Sequence, residues 1–479
     1  MKIALVNVSD GAEAYGIISL ASYIKQHSDF KDIGIVSLNE FGGFITQSDI
    51  PVEDYIKKIV EMKPDIVGLS AMTVFYGKAI EIAKAIRQNE AIKDCKILIG
   101  GVHISTLPSS FKLVFDYGVM GEGEETLLEL FSYIHQNKEE DYTKLQSIKG
   151  IVYHKEGEIK INVGRELITP LDKIPMPLPE FAKLNVMPRY ERGKKINAVV
   201  IMTSRGCPYD CVFCSTTNFW GNKIRFFSAK RVVDEIEMWY NDYGAIMIGI
   251  WDDLFTINKQ RLREIIDLLK ERGLLGKIRY ECLARSNTID EEVCVLLKEL
   301  GVYELNFGFE SGSPRMLAFL KKNSVTLDQH KNAIILARKH GISVTGSIIF
   351  ASPGEKIEDM EKTLEFIDFC IKNKVSHIWS FTMTPFPGTE IWRIAKERGI
   401  VSEDMDWSKL SHFNQEDPPL LDEDIKLEDF KKIWFKNKSK QRYFLVKIWL
   451  KNFRDAPVRT TIDVFKSFRF LKFFTKDFF

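Results

Sequence analysis

The chain has almost no net charge. Its 67 Lys and Arg residues are balanced by 66 Asp and Glu residues, and the formal net charge at pH 7 is +1. Proteins that bind nucleic acid usually present a strong basic field to the phosphates. The charge balance therefore gives no reason to expect a nucleic-acid partner.

Long hydrophobic runs are also lacking, and the first residues do not resemble a secretion leader. No stretch reaches the roughly 18 uncharged apolar residues that a membrane-spanning helix needs. The amino terminus, Met-Lys-Ile-Ala-Leu-Val-Asn-Val, is typical of a strand. It lacks the basic start, apolar core and small-residue cleavage site of a signal peptide. We therefore expect a cytoplasmic protein.

Cysteine is scarce, with seven residues in the chain. An odd number with three members in one short group does not resemble the disulfide framework of a secreted protein. In a reducing compartment such a group indicates metal binding.

The length of 479 residues predicts two or three domains, each with its own core. In the first part of the chain, short β-branched runs alternate with amphipathic stretches, which predicts a parallel sheet with crossover helices. The predicted strands are 3–8, 33–38, 65–71, 96–99 and 116–119. Ligands of such sheets bind beyond the carboxyl ends of the strands.

Those strand ends are small and rich in glycine, which allows a ligand to approach the backbone closely. The segments are Ser70-Ala-Met-Thr73, Gly100-Gly-Val-His103 and Gly121-Glu-Gly-Glu124. The candidate contacts to a cofactor in this part of the chain are Ser70, Thr73, Gly100, Gly101, His103, Gly121, Glu122 and Gly123.

A second β/α series begins near residue 198, with strands predicted at 199–203, 246–251, 278–283, 302–307, 344–350 and 377–381. Six such units predict an open, partial version of the eight-unit barrel, with functional groups at the carboxyl ends of the strands. A predicted hairpin and a proline-rich stretch separate the two series. We therefore divide the chain into an α/β domain (1–140), a hairpin and linker (141–195), a partial barrel (196–400) and a helical carboxyl-terminal region (401–479).

The motif that carries the chemistry directly follows the first predicted barrel strand. Cys207, Cys211 and Cys214 lie within eight residues. Three thiolates on one loop can bind three irons of a 4Fe–4S cluster and leave the fourth iron open to another ligand. The alternatives are a zinc half-site or buried thiols, but zinc usually requires four ligands in recognisable pairs, and no partner pair is close in the sequence.

The spacing Cys-x-x-x-Cys-x-x-Cys resembles the signature of the radical S-adenosylmethionine superfamily. The resemblance implies contacts to S-adenosylmethionine at the ends of later strands, from Asp252, Asp253, Arg285, Glu310 and Ser347. Each has a simpler alternative. An Asp pair after a strand is often a helix N-cap, and an arginine often forms a surface ion pair.

A flavodoxin-like domain before the barrel resembles the cobalamin-binding subclass of this superfamily. The first loop, Asp10-Gly-Ala-Glu13, lacks the Asp-x-His-x-x-Gly motif that supplies an axial histidine in other cobalamin proteins. The resemblance therefore implies cobalamin without a histidine ligand from that loop. His103 is a candidate for a hydrogen bond to the corrin or, alternatively, a packing residue.

The resemblance implies an enzyme that generates a 5′-deoxyadenosyl radical and transfers a methyl group from cobalamin to an unactivated carbon. It also implies a small-molecule or lipid substrate and an external electron donor of the flavodoxin or ferredoxin type. The alternatives are radical chemistry without cobalamin, such as cyclisation, dehydrogenation or C–C bond formation, and a non-catalytic iron–sulfur carrier.

The carboxyl-terminal residues 426–479 combine 15 Lys and Arg residues with 14 aromatic residues and only five acidic ones. An amphipathic helix of this composition is typical of peripheral contact with an anionic membrane. The alternative is a helical cap over the barrel mouth, which we favour for the first half of the segment.

Overall fold

The structure is a computed structural model. It describes residues 1–8, 14–38, 50–137, 139–191, 193–410, 418, 420–421 and 425–455. The loop at 10–13 and the aromatic segment 465–479 therefore lie outside the described residues.

The first sheet contains the five predicted strands, which all run parallel. They are β1 (Lys2–Val8), β2 (Asp32–Val36), β3 (Ile66–Ala71), β4 (Lys96–Gly100) and β5 (Tyr117–Val119). The strand order is β2-β1-β3-β4-β5, and an antiparallel hairpin follows β5. This hairpin, β6 (Ile151–Lys155) and β7 (Glu158–Ile161), lies in the segment that the sequence assigns to the linker, yet it completes the first sheet.

Helices cover both faces of this sheet, as the apolar runs of its strands require. They are α1 (Tyr15–His27), α2 (Val52–Met62), α3 (Tyr76–Gln88), α4 (Val102–Thr106) and α5 (Gly123–Gln136). Successive strand residues point to opposite faces. Ile3 and Leu5 therefore pack with α1 and α5, while Ala4 and Val6 pack with α2 and α3.

The segment between the two sheets is mostly irregular. It contains the short helices α6 (Tyr142–Ser147) and α7 (Pro179–Ala182). Its last part forms β8 (Met187–Glu191), which pairs antiparallel with the first barrel strand.

The barrel sheet contains β8 and six further strands, which are β9 (Lys194–Ile201), β12 (Ala245–Ile250), β13 (Arg279–Ala284), β14 (Val302–Glu310), β15 (Ser343–Phe350) and β16 (His377–Thr382). Its order is β16-β15-β14-β13-β12-β9-β8, and all neighbours except β8 and β9 are parallel. A separate antiparallel pair is formed by β10 (Ser204–Arg205) and β11 (Arg225–Phe226). The six predicted strands are confirmed, although β9 begins five residues earlier than expected. The fold class is therefore confirmed as an α/β domain followed by a partial (β/α)₆ barrel.

Eight described helices follow strands of the barrel sheet along the chain. They are α8 (Thr216–Trp220), α9 (Ala229–Tyr243), α10 (Lys259–Glu271), α11 (Glu291–Leu300), α12 (Pro314–Leu320), α13 (Leu327–Lys339), α14 (Ile357–Lys372) and α15 (Glu390–Glu397). Six of them begin after a side chain that accepts a hydrogen bond from a free N–H of the first turn. These caps are Ser228, Asn258, Asp290, Ser313, Thr326 and Thr389.

The carboxyl-terminal helix α16 (Leu427–Asp455) packs against α14 and β16, with Phe430, Trp434 and Phe444 buried in the barrel core. It thus covers the outer face of the last strands rather than the barrel mouth that the sequence suggested. Among the residues described, no helix is long and apolar enough to cross a membrane.

Segments that follow the carboxyl ends of strands in the two sheets contact one another. Helix α4, which follows β4, contacts α8, which follows the cysteine motif. Val212 of that motif packs in the same apolar cluster as core residues of the first sheet. A second contact is buried, where the Tyr15 hydroxyl of α1 donates to Glu235 of α9 at 3.0 Å.

Candidate cluster and cofactor site

The three cysteines lie on one loop between β10 (Ser204–Arg205) and α8. Cys211 is buried, whereas Cys207 and Cys214 are partly exposed. A turn closes the loop, because the Cys214 N–H donates to the Cys211 carbonyl at 3.1 Å. Burial raises the pKa of the Cys207 and Cys214 thiols, so in the absence of metal both stay protonated at neutral pH.

The donor set fits an iron–sulfur cluster better than a single metal ion. Within the described ranges, no three His, Cys, Asp or Glu side chains converge closely enough to hold one ion. The other four cysteines, Cys95, Cys282, Cys294 and Cys370, are buried singly in the cores. Three soft thiols on one loop, with no close fourth ligand, suit a cube that takes one thiolate per iron.

Asp253 and Arg285 fix this loop from neighbouring strand ends. Asp253 accepts hydrogen bonds from Gly206 N at 3.1 Å and from the Thr216 hydroxyl at 3.2 Å, on either side of the motif. The Arg285 Nη1 lies 3.2 Å from the Cys211 sulfur. A guanidinium in this position stabilises a thiolate.

The guanidinium of Arg285 is buried and only partly hydrogen-bonded. Its guanidinium stacks on Tyr209 at 4.0 Å and also donates to Ser324. It is buried, and its contacts are to a thiol, a hydroxyl group and an aromatic ring, so the surface ion-pair alternative does not apply. Its Nε has no hydrogen-bond partner in the described part of the chain. Since buried donors are normally paired, this Nε fits a carboxylate of a bound cofactor.

Asp252 is placed differently from its neighbour. Its carboxylate is fully buried and accepts four hydrogen bonds from the backbone and hydroxyl groups of Thr203 and Ser204. Burial raises its pKa. The N-cap alternative is wrong, because Asn258 caps the following helix. The side chain fixes the end of β9 and offers no free oxygen to a ligand.

Glu310 is the last residue of β14, and Ser347 lies within the adjacent strand β15. The Glu310 backbone is left-handed, with φ of 64°, which is strained for a residue with a side chain. Its carboxylate accepts from the buried Lys321 ammonium at 2.9 Å. Ser347 on β15 is half-buried and pairs with Gly308 of β14. The sequence did not indicate Lys321, the positive partner of Glu310.

In the first sheet, glycine shapes the strand ends. Ser70 pairs with Gly100, and Thr73 is buried at the start of the following turn. Gly101 has φ of 102°, and an added Cβ would lie 2.5 Å from the Ala71 carbonyl oxygen. Gly121 also has a positive φ of 70°, but the space around its Cα is open. The open space at Gly121 suits a ligand close to the backbone.

His103 belongs to a core rather than to an open edge. Its ring is fully buried, stacks on Tyr76 at 4.0 Å and meets Trp407 edge-on at 4.5 Å. Its Nε2 lies 2.9 Å from the Ser110 hydroxyl. Burial lowers the pKa of His103 to about 3. These contacts favour the packing alternative over a contact to the corrin.

The Glu122 carboxylate forms ion pairs with two arginines of the barrel domain. Its carboxylate is bonded by the guanidinium groups of Arg205 and Arg225, at 2.6 Å and 3.0 Å. Arg205 also binds Glu124 at 2.6 Å. The sequence did not single out either arginine, although Arg205 stands two residues before Cys207 in Ser-Arg-Gly-Cys.

Two family models match the chain in the order in which the sheets occur. The model of the B12 binding domain matches residues 2–131, and that of the Radical SAM superfamily matches residues 201–367. The first implies cobalamin as a cofactor. The second implies a 4Fe–4S cluster and S-adenosylmethionine.

Curated relatives and solved structures agree with this assignment. A Pyrococcus horikoshii protein named as an uncharacterised methyltransferase is 32% identical over 84% of each chain. The cytidylyl-2-hydroxyethylphosphonate methyltransferase of Streptomyces wedmorensis is 28% identical over 73% of this chain and 70% of its own. The radical S-adenosylmethionine methyltransferase TsrM from Kitasatospora setae superposes with a TM-score of 0.66 at 20% identity, covering 84% of this chain and 79% of its own. The chain therefore belongs to the radical S-adenosylmethionine superfamily, in the methyltransferase-containing group whose members also carry a cobalamin-binding domain.

Proposed function

We propose that this protein methylates an unactivated carbon of its substrate and that Cys207, Cys211 and Cys214 hold the cluster. The observation that carries the proposal is the placement of three thiols on one loop that follows the first barrel strand and leads into α8, which contacts α4 of the first domain. When bound, the cluster supplies the electron that cleaves S-adenosylmethionine to a 5′-deoxyadenosyl radical, and cobalamin supplies the methyl group.

Arg285 binds the carboxylate of S-adenosylmethionine in this proposal. Its Nη1 lies near Cys211, and its Nε is unpaired among the described residues. The same guanidinium would therefore contact the cluster loop through Nη1 and the carboxylate of the bound cofactor through Nε. Arginine suits this role because its planar group binds carboxylates with two parallel hydrogen bonds. Asp253 acts indirectly in this proposal. Both its oxygens accept hydrogen bonds from residues on either side of the cysteines and so position the cluster loop.

Glu310 and Ser347 contact the ribose and adenosine side of the same ligand. Lys321 neutralises Glu310, so the pair offers a polar but uncharged surface as a whole. The strained backbone at Glu310 supports a functional role, because strain persists where the surroundings enforce a required orientation.

The edge of the first sheet is the proposed cobalamin site. Ser70, Thr73 and the glycines at 100, 101, 121 and 123 bring backbone and small side chains to this edge. Thr106, at the end of α4, lies next to Gly388 of the barrel, which supports a cofactor placed between the two sheets. No histidine ligand is assigned.

Anaerobic reconstitution with iron and sulfide tests the cluster. We expect the Cys207→Ala, Cys211→Ala and Cys214→Ala variants to lose the cluster absorbance and the formation of 5′-deoxyadenosine with dithionite. Cys370→Ala, which removes a buried thiol from the barrel core, is the matched control and should retain both. Full iron loading without cleavage of S-adenosylmethionine would contradict the proposal.

Binding of hydroxocobalamin tests the second cofactor. Corrin absorbance that stays with the protein through gel filtration, at about one equivalent, supports methyl transfer from cobalamin. S-adenosylmethionine cleavage by protein that retains no corrin would instead favour the cyclisation or dehydrogenation alternative.

The substrate is a small molecule or a lipid, and an external flavodoxin- or ferredoxin-type donor reduces the cluster.

The proposal includes contact between helix α16 and an anionic lipid surface. Its side chains Phe435, Val446, Leu450 and Phe453 are exposed, between 43% and 58%, on the side of the helix away from the barrel. Residues 430–454 contain nine Lys and Arg residues and no acidic residue. This charge favours an anionic lipid surface over a second copy of the same helix.

Vesicle sedimentation tests the lipid contact. The full-length protein should sediment with vesicles containing phosphatidylglycerol at low salt but not with pure phosphatidylcholine. A Val446→Glu/Leu450→Glu variant should lose this binding, whereas Leu113→Glu, at a site that is 76% exposed on the first domain, should keep it. Sedimentation with neither kind of vesicle would contradict the proposal. So would a wild-type protein that is a dimer in solution and becomes a monomer in the double variant, because the exposed side chains of α16 would then contact a second copy of the chain.

A further inference from the structure

We propose that Glu122, Glu124, Arg205 and Arg225 are positioning residues for the cluster loop, so that the cobalamin-binding domain helps to build the iron–sulfur site. We call these four residues the interdomain clamp. The inference rests on the proposed cluster at Cys207, Cys211 and Cys214. It gives the segment 121–124 a role that differs from direct contact with a cofactor.

The clamp joins the end of one sheet to the start of the cluster loop. Glu122 and Glu124 lie at the start of α5, directly after the carboxyl end of β5. Arg205 lies at the end of β10, two residues before Cys207. One guanidinium thus connects two carboxylates of the first domain to the backbone that leads into the motif.

Every member of the clamp has a complementary partner. Arg205 donates to Glu122 and to Glu124, at 2.6 Å each. Arg225 donates to both oxygens of Glu122, at 3.0 Å and 3.1 Å. Two carboxylates therefore face two guanidinium groups, and the network is neutral as a whole. Charge-assisted bonds of this kind fix orientation as well as distance.

The clamp is shielded from water. The side chains of Glu122 and Glu124 are each 3% exposed, and those of Arg205 and Arg225 are 11% and 13% exposed. Trp220 of α8 lies against both guanidinium groups, with ring distances of 5.4 Å and 5.5 Å. Because solvent screens these buried pairs only weakly, their electrostatic attraction is stronger than that of surface ion pairs.

The backbone between the clamp and the cysteines has little freedom. Gly206, between Arg205 and Cys207, has φ of 98°, and an added Cβ would lie 2.2 Å from the Lys223 carbonyl oxygen. Its N–H is bonded to Asp253. A displacement of Arg205 is therefore transmitted to Cys207 with almost no flexible chain between them.

Iron retention and the spectrum of the reduced cluster test the clamp in the full-length protein. After reconstitution, we expect Glu122→Gln and Glu124→Gln to lose iron to a chelator about tenfold faster than the wild type, which is the lower end of the effect of removing a group bonded directly to a metal ligand. The electron paramagnetic resonance spectrum of the reduced cluster should change with them. Arg205→Lys keeps the charge but can bond only one carboxylate. Its rate of iron loss should therefore lie between that of the wild type and those of the two glutamate variants.

Glu129→Gln is the matched control. Glu129 lies on the same helix and pairs with Arg165, away from the cluster loop. This variant should retain iron and give the wild-type spectrum. If the clamp variants match the wild type in both readouts, the clamp proposal is wrong while the cluster proposal stands. If the wild type itself binds no cluster, the proposed function fails first.

Discussion

Glu355 is a carboxyl group enclosed behind the end of β15. It is 1% exposed, and only one of its oxygens has a partner among the described residues, the Ser352 N–H at 3.0 Å. Burial raises the pKa of Glu355 from its usual 4.5 to about 8. The group is therefore protonated in the folded protein at neutral pH.

This gives a pH-dependent contribution to stability. The unfolded chain releases the proton near pH 4.5, whereas the folded chain keeps it to about pH 8. The free energy of unfolding therefore falls with rising pH through this window and is level above it. Glu355→Gln should remove this slope, which is at most roughly 1.4 kcal/mol per pH unit.

Denaturant unfolding of wild type and variant between pH 5 and pH 8 measures this effect. The stability of Glu355→Gln relative to wild type should rise with pH. Glu358→Gln, at an exposed position on α14, is the control and should show no such rise. Parallel curves for wild type and Glu355→Gln would contradict the assignment.

The Glu310–Lys321 pair makes a second prediction at the same scale. Both side chains are less than a tenth exposed, so removal of one leaves a buried charge without its partner. Lys321→Met should lower the free energy of unfolding by about 3–5 kcal/mol. The double variant Glu310→Gln/Lys321→Met should recover much of the loss. Additive losses in a double-mutant cycle would show that the two residues do not interact.

At the scale of elements, the turn after β4 depends on glycine. Gly101 and Gly121 both have positive φ, but only Gly101 lies against another backbone. Gly101→Ala should therefore destabilise the protein by about 3 kcal/mol or more, whereas Gly121→Ala should cost only the roughly 1 kcal/mol of the left-handed conformation. Thermal unfolding measures the difference, and equal losses would argue against the close approach to Ala71.

At the scale of the whole molecule, the two domains share buried polar contacts. The Tyr15 hydroxyl donates to Glu235, which also accepts from Trp239 and Arg231 of its own helix. Tyr15→Phe should cost about 1–2 kcal/mol, because it removes a hydrogen bond to a charged group.

A matched control for this prediction lies on the same helix. Tyr23 is buried, but its hydroxyl bonds to no described residue, so Tyr23→Phe should be nearly neutral. Calorimetry measures both variants. A loss for Tyr23→Phe as large as that for Tyr15→Phe would indicate a general packing effect in α1 and not the interdomain bond.

The sequence by itself determined the local features. Alternating β-branched and amphipathic runs are local patterns, so the parallel strands of both sheets were predicted to within five residues. The antiparallel strand β8 was not predicted, because it lies in the proline-rich stretch that the sequence assigns to an irregular connection. The candidate cluster motif could also be recognised, because its three cysteines lie within eight residues of one another. Asp253, Arg285 and Glu310 were named through the resemblance to the radical S-adenosylmethionine superfamily, and their roles as cofactor contacts stay predictions.

Only the tertiary structure decided which partners these residues meet. Asp252 and Asp253 are adjacent in the chain, yet one is sealed against Thr203 and Ser204 while the other holds the cysteine loop. His103 is covered by Trp407, about three hundred residues away, and Glu122 meets Arg205 across the domain boundary. Such pairings depend on how separate elements dock, and the energy that selects them comes from burial and from complementary charge over long chain separations. The order of residues along the chain carries no local signal of either.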